Sequence, residues 1–219
     1  MFVTRRMRRN VAAIAPSASL EEAHRLMREE SVRQLPVIDE DGKLVGMVSD
    51  RDIREAMLPV GLIPSSSEKE MENILADTPV EKVMTRKVVA ATVNDSLEDA
   101  IVLLHDFRIN ALPVLDDKGR VAGIITRTDV LKAFIEALGV GEISSRLEVV
   151  VPDVPGSLVG VMTIIKSFHV NITSILTTGH TEVGKRTVFF RISTLNVGPI
   201  RKALQEAGYR ILDPGDFQV

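Results

Sequence analysis

The sequence predicts an α+β fold in which two tandem β-α-β-β-α units precede a smaller β-α-β-β-α-β unit. Three observations point to it. The first is an internal repeat: Ser19-Leu20-Glu21 returns 77 residues later as Ser96-Leu97-Glu98, and Leu35-Pro36-Val37 returns at the same offset as Leu112-Pro113-Val114. Carried ungapped from Pro16 to Asp52, that offset gives identity at positions 19, 20, 21, 23, 26, 35, 36, 37, 39, 42, 46 and 52, which is 12 of 37. The second is that each copy passes from helical spacing of its apolar residues to two short apolar runs split by a turn. The third is a change of element order beyond Gly139-Val140-Gly141.

Each element has a local reason. Ser19 and Ser96 suit helix N-caps, with acidic residues in the first turn and Leu20, Ala23, Leu26 and Met27 at helical spacing behind the first of them. Gln34 to Ile38 and Ala111 to Leu115 read as strands ending in Asp39-Glu-Asp-Gly42 and Asp116-Asp-Lys-Gly119, where glycine supplies a positive φ. The chain returns as Leu44 to Val48 and Val121 to Ile125, completing two hairpins, and helices follow from Asp52 and Asp129. Met7-Arg8-Arg9-Asn10-Val11 aligns with Met84 to Val88 at the same offset, so these arginines begin the first repeat rather than form a separate arm. Pro59 to Pro79 is an insertion in the first copy, and its Ser65-Ser66-Ser67 run reads as a solvated linker ahead of a helix.

Composition narrows the function classes. A net charge of -3 leaves no general attraction for nucleic acid, and the 4% aromatic content offers little for stacking bases. No apolar run approaches the roughly 18 residues of a spanning helix. The stretch from Val11 to Ala15 is too short for a signal peptide. A cytoplasmic protein without nucleic-acid or membrane partners is expected. With no cysteine, thiolate catalysis and Cys-ligated metal are excluded. The four histidines, His24, His105, His169 and His180, are scattered and do not align between repeats. Neither a nucleophile elbow nor a phosphate-loop motif is present. The chain therefore reads as a non-enzyme without metal or cofactor.

At the strand-to-helix junction of each copy stands one pattern, Gly46-Met-Val-Ser49-Asp-Arg-Asp52 and Gly123-Ile-Ile-Thr126-Arg-Thr-Asp129. Hydroxyls at a helix N-terminus beside Arg51 and Arg127 suit a phosphate, and a carboxylate one turn on can accept ribose hydroxyls. Serine, threonine and aspartate are equally the residues that cap helices. This pattern, with the Leu-Pro-Val strand upstream, closely resembles a tandem pair of CBS domains, the Bateman module, over about Phe2 to Leu138. The resemblance implies two units about a pseudo-two-fold axis whose clefts bind AMP, ADP, ATP or a related adenosyl compound. It implies ribose at Asp52 and Asp129, phosphates at Ser49, Thr126 and the adjacent arginines, and adenine against Val32, Gln34, Ile109 and Ala111. Because Arg51 and Arg127 occupy different positions of the motif, the two clefts are expected to differ.

The C-terminal third reads as strand Arg146 to Pro152, helix from Leu158 to Phe168, strands Val170 to Leu176 and Thr187 to Ser193, helix Pro199 to Ala207 and a last strand from Tyr209, a ferredoxin-like order. Asp153-Val-Pro-Gly156-Ser-Leu158 resembles the effector-binding turn of ACT domains, which commonly bind amino acids. The resemblance implies an effector site at Asp153, Gly156 and Leu158, completed by Asn171 across a dimer interface. The whole order resembles the accessory proteins of bacterial acetoin utilisation. Expected boundaries are 1–58 and 80–138 for the CBS units, 59–79 and 139–145 for linkers, and 146–213 for the ACT domain. A homodimer reporting to an unidentified protein partner is the expected working form.

Overall fold

The computed structural model describes residues 1–61, 68–141 and 143–213. The chain divides into two compact units, Met1–Leu131 and Lys132–Val219. The serine run at 65–67 lies outside the described residues. No helix among them is long and apolar enough to cross a membrane.

In the first repeat α1 (Leu20–Glu29) is followed by β1 (Gln34–Ile38), β2 (Leu44–Ser49) and α2 (Asp50–Gly61), and α3 (Glu68–Asp77) then precedes the second repeat. There β3 (Ala91–Thr92), α4 (Leu97–Asp106), β4 (Ala111–Leu115), β5 (Val121–Thr126) and α5 (Arg127–Ala137) repeat the order, α5 running on into the second unit. The first strand of each repeat is short. In the second copy it is the two-residue β3, parallel to β4, and in the first it shrinks to the Ile14–Val37 bridge. Serine caps work as expected: Glu22 N–H donates to Ser19 Oγ at 3.1 Å while Ser19 N–H donates to Glu22 Oε2 at 3.0 Å, and Ser96 with Asp99 does the same. Gly42 and Gly119 turn the hairpins at φ 79° and 76°. Leu20, Leu35, Val37 and Val48 are fully buried in one cluster of the first repeat, each worth about 1.5–3 kcal/mol of transfer energy.

The two repeats are joined by reciprocal bonds at the 77-residue offset. Leu44 N–H donates to Gly119 O at 3.3 Å and Val121 N–H donates to Gly42 O at 3.2 Å, which sets the hairpin turns about a pseudo-two-fold axis. Their leading segments are also exchanged. Val3 N–H donates to Asp95 O and Arg8 pairs with Ile124, whereas Val80 N–H donates to Ala18 O and Thr85 pairs with Met47. Met7 to Arg9, in sequence the start of the first repeat, therefore lies on the second. A contiguous repeat would have kept it on its own copy.

The second unit holds β6 (Ser145–Pro152), α6 (Ser157–Ser167), β7 (Ile172–Gly179), β8 (Lys185–Ile192), α7 (Gly198–Glu206) and β9 (Arg210–Ile211). The sheet runs β7-β8-β6-β9 with every pairing antiparallel, the ferredoxin-like order. Alternate residues Leu147, Val149 and Val151 face the same core as Val188, Phe190 and Ile192. Val161 and Ile165 of α6 with Ile200 and Leu204 of α7 close that core.

Candidate functional site

Each predicted junction is assembled by its hairpin. Antiparallel pairing puts Gln34 opposite Ser49 and Ala111 opposite Thr126, so residues expected at the base and at the phosphate are neighbours across the ladder. Val32 and Ile109, two residues upstream of those strand positions, are half-buried, and Val32 N–H is tied to Met27 O at 2.9 Å.

The hydroxyl and carboxylate of each motif bond to one another. Ser49 donates to Asp52 Oδ2 from its backbone N–H at 2.7 Å and from Oγ at 2.6 Å, and Asp52 N–H donates to Ser49 Oγ at 3.3 Å. Thr126 repeats this with Asp129 Oδ2, from N–H at 3.0 Å and from Oγ1 at 2.5 Å, with Asp129 N–H donating back at 3.2 Å. Both pairs are capping boxes at the first turns of α2 and α5. They leave the second carboxylate oxygen, Oδ1, to other partners. Asp52 Oδ1 has no hydrogen bond among the described residues. Asp129 Oδ1 accepts Arg8 Nε at 3.4 Å.

The arginines next to the motif are occupied elsewhere. Arg51 Nε donates to Glu55 Oε1 at 2.7 Å on an exposed stretch of α2, and that hydrogen bond raises the guanidinium pKa above its ordinary value. Arg127 Nη2 donates to the Leu104 carbonyl at 3.1 Å. Arg8 was not among the sequence-predicted residues. At the same offset its counterpart is Thr85, a difference visible in the sequence, but nothing local reveals that the leading segments trade places.

The motif glycines also find a cause in that exchange. A Cβ on Gly46 would collide with Met84 Sδ, and one on Gly123 would stand 2.5 Å from Met7 Sδ and 2.9 Å from the Arg8 carbonyl oxygen. Both glycines are the floor on which the other repeat's leading segment rests.

In the second unit Gly156 caps α6 in the left-handed region, φ 84°, and a Cβ there would meet nothing within 4 Å, so the backbone is open to an approaching group. Asp153 Oδ1 accepts Arg186 Nε at 2.6 Å, and Leu158 packs against the core. Asn171 follows the C-terminal end of α6 and lines an open groove of about 650 Å³ together with Val159, Met162 and Lys166 of that helix.

Family comparison decides the relationship. The CBS domain model matches residues 3–59 and 80–136, just over half of the 219 residues. This chain belongs to the CBS-domain family. A TTHA0829-like ACT domain model matches residues 144–214 of the same chain, so the CBS pair carries a C-terminal ACT domain. An uncharacterised protein of Methanocaldococcus jannaschii is 35% identical over 131 residues, 51% of this chain and 78% of that protein. Inosine-5'-monophosphate dehydrogenase of the same organism is 33% identical over 124 residues, 57% of this chain and only 22% of the enzyme. Among solved structures, a putative acetoin utilization protein (AcuB) from Vibrio cholerae is 27% identical with TM-score 0.53, covering 64% of this chain and 93% of that one. The CBS domain pair of protein MJ0100, in complex with 5'-methylthioadenosine and S-adenosyl-L-methionine, is 27% identical with TM-score 0.50, covering 61% and 99%.

Proposed function

We propose that this CBS–ACT chain is a non-enzymatic sensor whose CBS pair binds adenosyl ligands, AMP, ADP, ATP or a related compound, and whose ACT domain takes a small amino-acid-like effector. The observation that carries the reading is the duplicated junction. At two equivalent places a carboxylate and a hydroxyl are fixed to each other at a helix N-terminus, next to a strand residue on the same ladder. A ribose diol needs an oriented carboxylate, and a phosphate needs N–H donors and a hydroxyl, and each junction carries these groups. The adenosyl ligands of the MJ0100 pair support the ligand class. The AcuB likeness supports a link to acetoin utilisation.

Calorimetric titration with AMP, ATP and S-adenosylmethionine is the test. Wild type is expected to bind at least one of them without turnover, and Asp52→Ala or Asp129→Ala to remove one binding event each. The capping boxes alone also account for Ser49, Asp52, Thr126 and Asp129 as structure. If wild type binds none of the three compounds, that plainer role stands and the chain is an interaction scaffold.

A further inference from the structure

We propose that the two junctions accept different classes of adenosyl ligand, with Arg8 as the residue that makes the second one selective for phosphorylated compounds. This rests on the adenosyl reading of the CBS pair and assigns a ligand class to each cleft within it.

The repeat supplies its own control. Arg9 and Arg86 are equivalent at the 77-residue offset, and each folds back on its own turn in the same way: Arg9 Nη2 donates to Thr4 O at 3.4 Å and Arg86 Nη2 donates to Glu81 O at 3.1 Å. Those arginines keep the symmetry. One position earlier the symmetry breaks, because Arg8 answers to Thr85. Both backbones are held alike, Arg8 by its two hydrogen bonds to Ile124 at 2.9 and 3.0 Å and Thr85 by its two to Met47 at 2.8 and 3.0 Å. The side chains therefore project from equivalent places toward equivalent carboxylates, and only one of them carries charge.

The consequence falls on Asp129 Oδ1. The Asp129 side chain is 9% exposed, so its carboxylate is largely withdrawn from water, while the Arg8 side chain paired to it is 52% exposed. Arg8 spends Nε on Asp129, and its two terminal nitrogens make no hydrogen bond among the described residues. A ribose that takes Asp129 Oδ1 competes with Arg8 for it. An uncharged ligand makes that guanidinium share its carboxylate with the ribose hydroxyls and offers it no second anion. A ligand bearing phosphate gives the guanidinium a second anion that its two terminal nitrogens can hold bidentately, so the exchange is compensated. At Asp52 the equivalent residue is the uncharged Thr85, no described cation is hydrogen-bonded or ion-paired to the carboxylate, and an uncharged or cationic adenosyl compound meets no such competition.

Titration calorimetry on single-cleft proteins tests this, with ATP and 5'-methylthioadenosine as the two probes. In Asp52→Ala, which keeps the second cleft, ATP is expected to bind at least tenfold tighter than methylthioadenosine. Adding Arg8→Thr should weaken ATP at least tenfold and strengthen methylthioadenosine, while Arg8→Lys keeps the order of preference. In Asp129→Ala, which keeps the first cleft, Thr85→Arg should strengthen ATP relative to methylthioadenosine. Opposite signs for the two ligands are the signature, since a merely structural Arg8 would move both together. If Arg8→Thr weakens both ligands equally, or changes neither while wild type still binds them, the assignment of Arg8 is wrong and the adenosyl reading survives. If wild type binds neither probe, the assignment of Arg8 is wrong, and the adenosyl reading falls with it only when AMP and S-adenosylmethionine also fail to bind.

Discussion

Replacing the motif glycines by alanine should damage the two repeats unequally, and the inequality can be worked from the contacts. At Gly123 an added Cβ lies 2.9 Å from the Arg8 carbonyl oxygen, against roughly 3.4 Å for an ordinary contact, and 2.5 Å from Met7 Sδ. The sulfur can swing aside at a rotamer cost of about 0.5–1.5 kcal/mol. The carbonyl cannot, because it accepts Ile124 N–H at 3.0 Å from the same strand that bears the new methyl. Moving it by about half an ångström stretches a bond worth about 0.5–1.5 kcal/mol, along with its partner from Arg8 N–H. Against this stands a gain of about 0.4–1 kcal/mol from replacing glycine in the unfolded chain. The net loss for Gly123→Ala is about 1–3 kcal/mol.

At Gly46 the nearest backbone atom, Thr85 O, is 3.3 Å away, and the close contact is only with the far end of Met84. Gly46→Ala should therefore cost about 0–1 kcal/mol. Urea unfolding of the full chain at constant m-value measures both. A double-mutant cycle adds the mechanism: Met84→Ala should cancel most of the Gly46→Ala penalty, and Met7→Ala only part of the Gly123→Ala penalty. Equal losses, or a larger loss at Gly46, would refute the claim that the exchanged segment is what these glycines accommodate.

Two further outcomes are expected. Ser31, Arg108 and His169 follow α1, α4 and α6 with φ of 53°, 53° and 56°, so each is a left-handed C-terminal position held by a residue other than glycine. Ser31→Gly, Arg108→Gly and His169→Gly should each stabilise the chain by a few tenths to about 1 kcal/mol in urea unfolding, and a loss at any of the three would contradict the cap assignment. In the ACT domain β7 is an edge strand of 8 residues with its second half exposed, the kind of edge that pairs with a second chain. Light scattering should return about twice the 24.0 kDa chain mass, and a mass near one chain would refute the dimer.

Most elements could be read from the residues because their causes are local. Capping serines, the Asp-x-x-Gly turns and the apolar alternation of β6 and β8 each act within a few positions, and the structure places α1, α4 and both hairpins where those signals put them. The ferredoxin-like order was legible for the same reason. What the residues leave open is where a segment goes rather than what it forms. Met7 to Arg9 has the sequence of a repeat's first residues, and in a duplicated chain the site on its own copy and the site on the other are chemically almost identical. Which one it takes depends on the connection between copies, which leaves no mark on the segment itself.

That exchange changes how the asymmetry of the two junctions is to be explained. Arg51 and Arg127 differ in position within the motif, and the difference is real, but Glu55 holds one and the Leu104 carbonyl holds the other. Neither is bonded to a motif carboxylate. The guanidinium hydrogen-bonded to a motif carboxylate comes from the other repeat's leading segment, so each junction is built from both copies. A substitution in one leading segment alters the opposite junction and leaves its own copy's hydroxyl and carboxylate untouched. Divergence between duplicated sites then requires no change to the shared motif: Ser49 and Asp52 can keep the same hydrogen-bond pattern as Thr126 and Asp129 while Arg8 against Thr85 sets their environments apart.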